Sequence, residues 1–341
     1  MGYIGPSVID QLYSSYKDAE LVGLDSGFFA HCLTGALTLP EVRLHKQIFC
    51  DVRHVTADVL EDVYAVIHLA GISNDPIGNT FSQVTDEINC LSSIRLAKLS
   101  RESGVKRFVF ASSCSVYGAA EGGPRKEEDE LNPLTAYARS KIGAEKGIAS
   151  MAGDDFVITS LRFATACGMS ERLRLDLVVN DFVAGGVTAN KIEILSDGTP
   201  WRPLIHIKDM ARAIDWGVSR DASNGGAFLA VNAGCDGWNY QIKDLAESVA
   251  GIIPGVQVTI NKDAIPDNRS YQVDFSLFRK LAPNYQPQID LVDTIRGLKD
   301  GLELMNFRNS DFRDSNFIRL KVLTGLRERN YLNDKMEWVR D

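Results

Sequence analysis

Apolar residues recur with two different periods in the first half of the chain. One set is spaced four apart, as on the buried face of a helix, and comprises Ile4, Val8, Leu12 and Tyr16. Short, largely apolar segments then follow, at residues 19–24, 47–50, 63–68, 107–113 and 157–163. Runs of this kind indicate parallel strands that are covered on both faces. Their alternation with helical segments predicts an α/β fold, a doubly wound parallel sheet.

The pattern becomes less regular after Ala164, where a second lobe is predicted. Further elements are expected there: a helix within 169–188, strands at 192–195, 204–207, 227–231 and 257–260, and helices at 208–218, 241–251 and after 290. The strand at 227–231 is expected to return to the main sheet. We therefore predict two units, a domain of residues 1–165 to which 204–233 return, and a smaller discontinuous α/β lobe of residues 166–203 and 234–341.

Composition and charge argue against several classes of protein. The chain has 341 residues, 45% hydrophobic and 24% charged, as in a soluble globular protein. A net charge of −8 argues against nucleic-acid binding, which needs a basic surface. No apolar run approaches the roughly 18 residues of a membrane span, and no signal peptide is recognised. The six cysteines lack C-x-x-C spacing and the five histidines lack H-x-x-x-H spacing, which predicts reduced thiols, a cytoplasmic location and no metal site.

Glycines mark the beginning of the first predicted helix. Gly2 and Gly5 flank Tyr3 and Ile4, and Asp25 follows the next strand, twenty residues beyond Gly5. This order matches the later part of a dinucleotide-binding fingerprint, in which backbone amides approach a pyrophosphate and the acid binds ribose hydroxyls. The alternative is an ordinary helix start, with Asp25 opening a turn. The first part of the fingerprint is missing, because no strand precedes Gly2 in this sequence.

A second group of polar residues follows the strand at 107–113. Ser113 ends this strand, and Tyr137 and Lys141 lie four positions apart on the next predicted helix. Side chains at this spacing share one helix face, so the ammonium can lie beside the phenol and lower its pKa from about 10. A phenolate is a general base, and Ser113 could bind the same substrate oxygen. The alternative is that Tyr137 and Lys141 are ordinary surface residues.

Several motifs occur together in one order along nearly the whole chain. They are Gly2-Tyr-Ile-Gly5, Asp25, Asp51-Val52, His68-Leu-Ala-Gly71, Asn89, Ser112-Ser-Cys-Ser-Val-Tyr-Gly118, Tyr137-x-x-x-Lys141 and Arg202. In these motifs and spacings the sequence resembles the extended short-chain dehydrogenase/reductase family, in particular its nucleotide-sugar epimerase and dehydratase branch. Their joint occurrence is far more specific than any one of them. The resemblance implies a Rossmann-like fold in which the larger domain binds NAD and the smaller lobe binds substrate.

The resemblance also implies a role for each matching residue. Tyr137 would be the base, Lys141 its partner and a ligand of the nicotinamide ribose, and Ser113 the catalytic Ser/Thr. The NAD contacts would come from Gly2, Tyr3, Ile4, Gly5, Asp25, Asp51, Val52, Leu69, Ala70, Gly71, Asn89, Tyr137 and Lys141. A nucleotide-diphosphate sugar would be bound by Ser73, Ser113, Thr165, Arg202 and Arg269. The expected assembly is a homodimer.

Two substrate positions depart from the family pattern. Many relatives have Asn where this chain has Thr165, which weakens a phosphate contact there. An arginine of the relatives is absent, and Arg269 is close enough in sequence to replace it, although a solvated surface charge is an equal alternative.

The reaction implied by the resemblance is epimerisation by an NAD-dependent nucleotide-sugar epimerase. Tyr137 would take a proton from a sugar hydroxyl while hydride passes to NAD, and the ketone would take the hydride back on its other face. A 4,6-dehydratase is the nearest alternative, but such relatives carry Asp-Glu where this chain has Cys114 and Ser115. A deoxysugar-forming ketoreductase uses the same three residues. A non-catalytic NAD-sensing regulator is a further alternative, disfavoured by the intact set.

The missing strand before Gly2 would lie in the middle of the sheet of such a fold. Four buried apolar side chains would contribute roughly 1.5–3 kcal/mol each, comparable with a whole domain's net stability. We therefore expect that Met1 is an internal methionine and that the natural protein begins several residues upstream with a strand ending in Gly. The alternative is a genuine short form that binds NAD poorly or not at all.

Overall fold

The computed structural model describes residues 1–73, 75–120, 122–261 and 269–339. The strands in these ranges are β1 (Val22–Asp25), β2 (Lys46–Phe49), β3 (Ala65–His68), β4 (Arg107–Ser113), β5 (Val157–Phe163), β6 (Thr165–Cys167), β7 (Lys191–Ile194), β8 (Trp201–His206), β9 (Phe228–Ala233), β10 (Asn239–Gln241) and β11 (Gln257–Ile260). The α-helices are α1 (Gly5–Ser15), α2 (Asp75–Thr80), α3 (Ser82–Asp86), α4 (Ser92–Glu102), α5 (Ala136–Ala149), α6 (Val178–Ala189), α7 (Ile207–Ser219), α8 (Ile242–Ile252), α9 (Ser276–Leu281), α10 (Leu291–Leu304) and α11 (Arg319–Glu328).

A four-stranded parallel sheet in the order β3-β4-β5-β9 forms the centre of the molecule. Alternate side chains of β4 enter different parts of the core. Phe108 and Phe110 pack in a cluster with side chains of α4 and α5, whereas Val109 packs in a cluster with α1 and α7. Both faces of the sheet are therefore apolar and covered by helices, which confirms the predicted doubly wound α/β fold.

The strands β1 and β2 form a separate parallel pair. Within the residues that the structure describes, β1 pairs only with β2 and β3 only with β4, so each keeps one edge without a strand partner. One large cavity, about 1690 Å³ in volume, is lined by residues of β1 and of β3. Val22, in β1, is 47% exposed. By contrast, every residue of β5, which has a strand partner on each side, is buried. The cavity thus borders both β1 and β3.

A second group of elements carries two small sheets. The strands β10, β8 and β6 pair in that order, and β11 pairs with β7. The helices α6, α8 and α10 pack together beside them. The predicted helix over 169–188 is wrong in its first half, because the helix begins only at Val178. In the segment before it, the amide of Leu173 donates to Thr34 Oγ1 and that of Leu175 to the carbonyl of Phe317.

The C-terminal part of the chain contacts the region around β1 and β2. The side chain of Trp338 lies against Phe28, with ring centroids 5.6 Å apart. Arg319, at the start of α11, lies over the ring of Phe29 at 4.7 Å. None of the helices within the described ranges is long and apolar enough to cross a membrane.

Candidate active site

The structure brings Ser113, Tyr137 and Lys141 together at the carboxyl end of β4. Ser113 is the last residue of the strand, and its hydroxyl hydrogen-bonds Tyr137. Thr135 caps α5 by accepting a hydrogen bond from the amide of Ala138 at 3.2 Å, which fixes the first turn of the helix where Tyr137 lies. The end of β4 and the capped first turn of α5 therefore position Ser113, Tyr137 and Lys141.

Lys141 points from the same helix face toward the strand. Its Nζ donates to the carbonyl of Ala111 at 2.7 Å and lies 5.7 Å from the centroid of the Tyr137 ring. It also lies over the ring of Phe110, at 4.7 Å. The predicted juxtaposition of the Tyr and Lys side chains is therefore present, but the ammonium is bonded to the backbone of β4.

The predicted lowering of the Tyr137 pKa is wrong for the chain without ligands. Desolvation raises the pKa of Tyr137 to about 12, and the hydrogen bond from Ser113 only partly opposes it. Desolvation also lowers the pKa of Lys141, to about 8. The spacing of four residues places the pair correctly, but burial decides the direction of the Tyr137 shift.

Most of the predicted cofactor residues line the large cavity. They are Gly2, Tyr3, Ile4, Gly5, Asp25, Asp51, Val52, Leu69, Ala70, Gly71, Tyr137 and Lys141. Helix α1 begins at Gly5 and has no acidic side chain in its first turn, so its positive end is not neutralised there. A Cβ on Gly2 would meet nothing within 4 Å, whereas one on Gly71 would lie 2.9 Å from Asn89 Oδ1 and 3.7 Å from Lys141 Nζ. The backbone of Gly71 thus comes close to Lys141.

Two carboxylates line this cavity beside β1 and β2. Asp25 ends β1, and its Oδ1 accepts a hydrogen bond from the amide of Gly27 at 2.6 Å. Asp51 accepts from the amide of Arg53 at 2.8 Å and forms an ion pair with its guanidinium at 2.7 Å. These bonds lower the pKa of Asp51 against the effect of burial. The two acids lie on neighbouring strand ends, since β1 and β2 are paired in register.

Asn89 lies behind the cavity wall. It is completely buried, and its side-chain amide both accepts from the amide of Ile72 and donates to the carbonyl of Ile72, at 2.8 Å each. It also donates to Ser140 Oγ at 3.2 Å. We therefore interpret Asn89 as a residue that positions the turn after Gly71 and not as a direct cofactor ligand.

The predicted substrate residues line the same cavity. Ser73, Thr165, Arg202 and Arg269 all contribute to its wall. Arg202 is buried, donates to the carbonyl of Trp201 at 2.8 Å and lies 5.8 Å over the ring of Tyr271.

Sequence reasoning missed several charged residues of the site. Asp75 accepts from Thr135 Oγ1 at 2.6 Å and pairs with Arg269 at 2.5 Å. Arg174 bonds Ser73 Oγ and Asp176, both at 2.8 Å. Asp75 raises the pKa of Tyr137 and Arg174 lowers it, each less than desolvation does. Only the closeness of Asp75 to Ser73 in sequence could have indicated one of them, because Arg174 reaches the site through tertiary contacts.

Curated proteins are similar to this chain at low identity. The protein YtcB of Bacillus subtilis, named as an uncharacterised UDP-glucose epimerase, is 29% identical over 225 residues, which are 62% of this chain and 68% of that protein. The UDP-glucose 4-epimerase of the same organism is 26% identical over 270 residues, 72% of this chain and 78% of that protein. The low-salt glycan biosynthesis protein Agl12 of Haloferax volcanii is 22% identical and spans 88% of this chain and 95% of its own.

Solved structures share the fold. TunA, an NAD-dependent NDP-hexosamine 5,6-dehydratase, superposes with a TM-score of 0.76 at 24% identity, over 91% of this chain and 96% of its own. MoeE5 in complex with UDP-glucuronic acid and NAD superposes with a TM-score of 0.73 at 25% identity, over 89% of this chain and 96% of its own.

A family model places these similarities in one group. It is described as the NAD dependent epimerase/dehydratase family and matches residues 1–234. This range includes the glycine start, the Ser113, Tyr137 and Lys141 set and Arg202. The chain therefore belongs to the NAD dependent epimerase/dehydratase family.

Proposed function

We propose that this enzyme is a nucleotide-sugar epimerase that uses NAD. The observation that carries the proposal is the intact set of Ser113, Tyr137 and Lys141, with no carboxylate at the two positions after Ser113. Cys114 is buried, and its thiol donates to the carbonyl of Arg162. Desolvation raises the pKa of this thiol. Neither Cys114 nor Ser115 can act as the acid and base that removal of water requires.

The cavity suits a dinucleotide. The uncompensated N-terminus of α1 would bind the pyrophosphate, and the Asp25 carboxylate would accept hydrogen bonds from the adenosine ribose. Lys141, which lies close to the backbone of Gly71, would bind the nicotinamide ribose. Bound NAD supplies the hydride acceptor and donor of the reaction.

The residues of the chain hold and move the proton. In this proposal, Ser113 and Tyr137 bind the sugar hydroxyl that is oxidised, and Tyr137 accepts its proton and later returns it. Lys141 stays charged below its pKa of about 8 and stabilises the phenolate when it forms. The phenol must lose its proton against a pKa of about 12, and the cationic nicotinamide ring of oxidised NAD would be the bound group that favours the phenolate.

The substrate class follows from the other side of the cavity. The planar guanidinium of Arg202 suits a diphosphate. Arg269 lies next to it, because the carbonyl of Arg269 accepts a hydrogen bond from Arg202. MoeE5, similar in structure, binds UDP-glucuronic acid. We therefore propose a nucleoside-diphosphate sugar as substrate, bound by Arg202, Arg269, Ser73 and Thr165. The proposed assembly is a homodimer.

The experiment is incubation with NAD and a panel of UDP- and dTDP-sugars in deuterated water, with product identity, carbon-bound deuterium and cofactor redox state recorded. Epimerisation is expected to give an inverted sugar without solvent deuterium on carbon and without net change of the cofactor. A keto-deoxy product carrying solvent deuterium would establish a dehydratase, and net consumption of NADH in a parallel incubation that contains NADH would establish a reductase. A wild-type chain that binds NAD but turns over no sugar would support a regulator. The variant Tyr137→Phe tests the proposed base in the same assay. Its matched control is Tyr331→Phe, at an exposed tyrosine.

A further inference from the structure

The last residues of the described chain form a small closed turn, here called the C-terminal clasp (residues 331–339). The amide of Val339 donates to the carbonyl of Tyr331 at 2.9 Å, and that of Asn333 to the carbonyl of Glu337 at 3.0 Å. Met336 is completely buried and Leu332 nearly so. The clasp is therefore a folded unit that is anchored in the core by two apolar side chains.

The clasp holds the turn that follows Asp25. The indole N–H of Trp338 donates to the carbonyl of Ser26 at 2.6 Å, and the ring packs against Phe28. Ser26 directly follows the carboxylate at the end of β1, whose Oδ1 accepts from the amide of Gly27. Trp338 thus fixes the backbone from which the Asp25 side chain reaches the cavity.

The clasp also holds the turn that follows Asp51. Arg53 donates through Nη1 to the carbonyl of Lys335 at 2.8 Å and through Nη2 to Asp51 Oδ2 at 2.7 Å. His54 lies 3.4 Å from Glu337. One guanidinium therefore connects the clasp with the second carboxylate at this end of the cavity.

We propose that the C-terminal clasp positions Asp25 and Asp51 for the adenosine half of NAD, with Trp338 and Arg53 as the positioning residues. A turn held before the ligand arrives loses less conformational freedom on binding, so affinity rises without a new contact to the ligand. The inference rests on the NAD site and is independent of which sugar reaction the enzyme catalyses.

The experiment measures ligand affinities of the full chain by calorimetry. Trp338→Phe keeps a ring against Phe28 and removes the N–H donor, and Trp338→Ala removes both. Tyr331→Ala is the matched control, because it removes an exposed ring from the same clasp. Weakening of NAD and ADP-ribose binding by about 2- to 10-fold, the range of one net hydrogen bond, is expected for the Trp338 variants and not for the control. UDP-glucose affinity should stay unchanged.

Hydrogen exchange supplies a readout without any ligand. Amides of residues 26–29 should exchange faster in Trp338→Phe than in the wild type, whereas those of α5 should not change. Equal NAD affinity in Trp338→Ala and wild type, or an equal loss of NAD and UDP-glucose affinity, would overturn the positioning role. A wild-type chain that binds UDP-glucose but neither NAD nor ADP-ribose would overturn the cofactor site itself, and with it the role of the clasp.

Discussion

Replacing Lys141 by methionine should stabilise the ligand-free chain at neutral pH while it abolishes activity. Lys141 is 5% exposed, and no carboxylate is paired with its ammonium among the ion pairs of the described residues. Its pKa is lowered from 10.5 to about 8 because the charged form is desolvated. Methionine fills a similar volume without a charge, so the cost of burying the ammonium disappears.

The expected magnitude follows from the pKa. A change from 10.5 to about 8 corresponds to about 3 kcal/mol of free energy between the two protonation states. Methionine also loses the hydrogen bond to the carbonyl of Ala111, which costs about 1 kcal/mol. We therefore expect Lys141→Met to raise the free energy of unfolding by about 2 kcal/mol at pH 7.

The pH dependence has a defined sign. Between about pH 8 and 10.5 the unfolded state carries a proton on Lys141 that the folded state has lost, so the stability of the wild type rises with pH in this window. Lys141→Met lacks this rise. Its advantage of about 2 kcal/mol at pH 7 should therefore become a disadvantage of about 1 kcal/mol by pH 10.5.

The assay is urea denaturation without NAD at several pH values between 7 and 10.5. Lys146→Met is the matched control, because it makes the same substitution at an exposed position of α5 and should change stability by less than about 0.5 kcal/mol at any of these pH values. The reasoning would be refuted by a Lys141→Met variant that is less stable than the wild type at pH 7, or by a stability difference that does not depend on pH.

Three further predictions concern the site and the buried ion pair next to it. Tyr137→Phe should lower the turnover rate by about 10² to 10⁴ and leave NAD binding intact, and near wild-type turnover would exclude Tyr137 as the base. NAD should bind more tightly than NADP, because Asp25 would repel a 2′-phosphate; equal affinities in a titration would contradict this role. Arg162→Met should cost about 3–5 kcal/mol in urea denaturation by leaving Glu145 buried without its partner at 2.8 Å, unlike an exposed Arg→Met control.

Local patterns were sufficient for the sheet and for the placement of the catalytic set. The largely apolar runs at 107–113 and 157–163 coincide with β4 and β5, because strands covered on both faces are rich in apolar residues. Tyr137 and Lys141 share a helix face for a geometric reason that depends only on their spacing.

The chemistry of these residues depended on tertiary contacts. Desolvation is a property of the surrounding fold, so the raised pKa of Tyr137 could not be read from its distance to Lys141 in sequence. The segment before Val178 is irregular because its amides bond Thr34 and Phe317, partners more than a hundred residues away. The clasp likewise meets Ser26 across about three hundred residues. A periodic pattern records which face of an element is buried, and only the folded chain decides which distant groups lie against it.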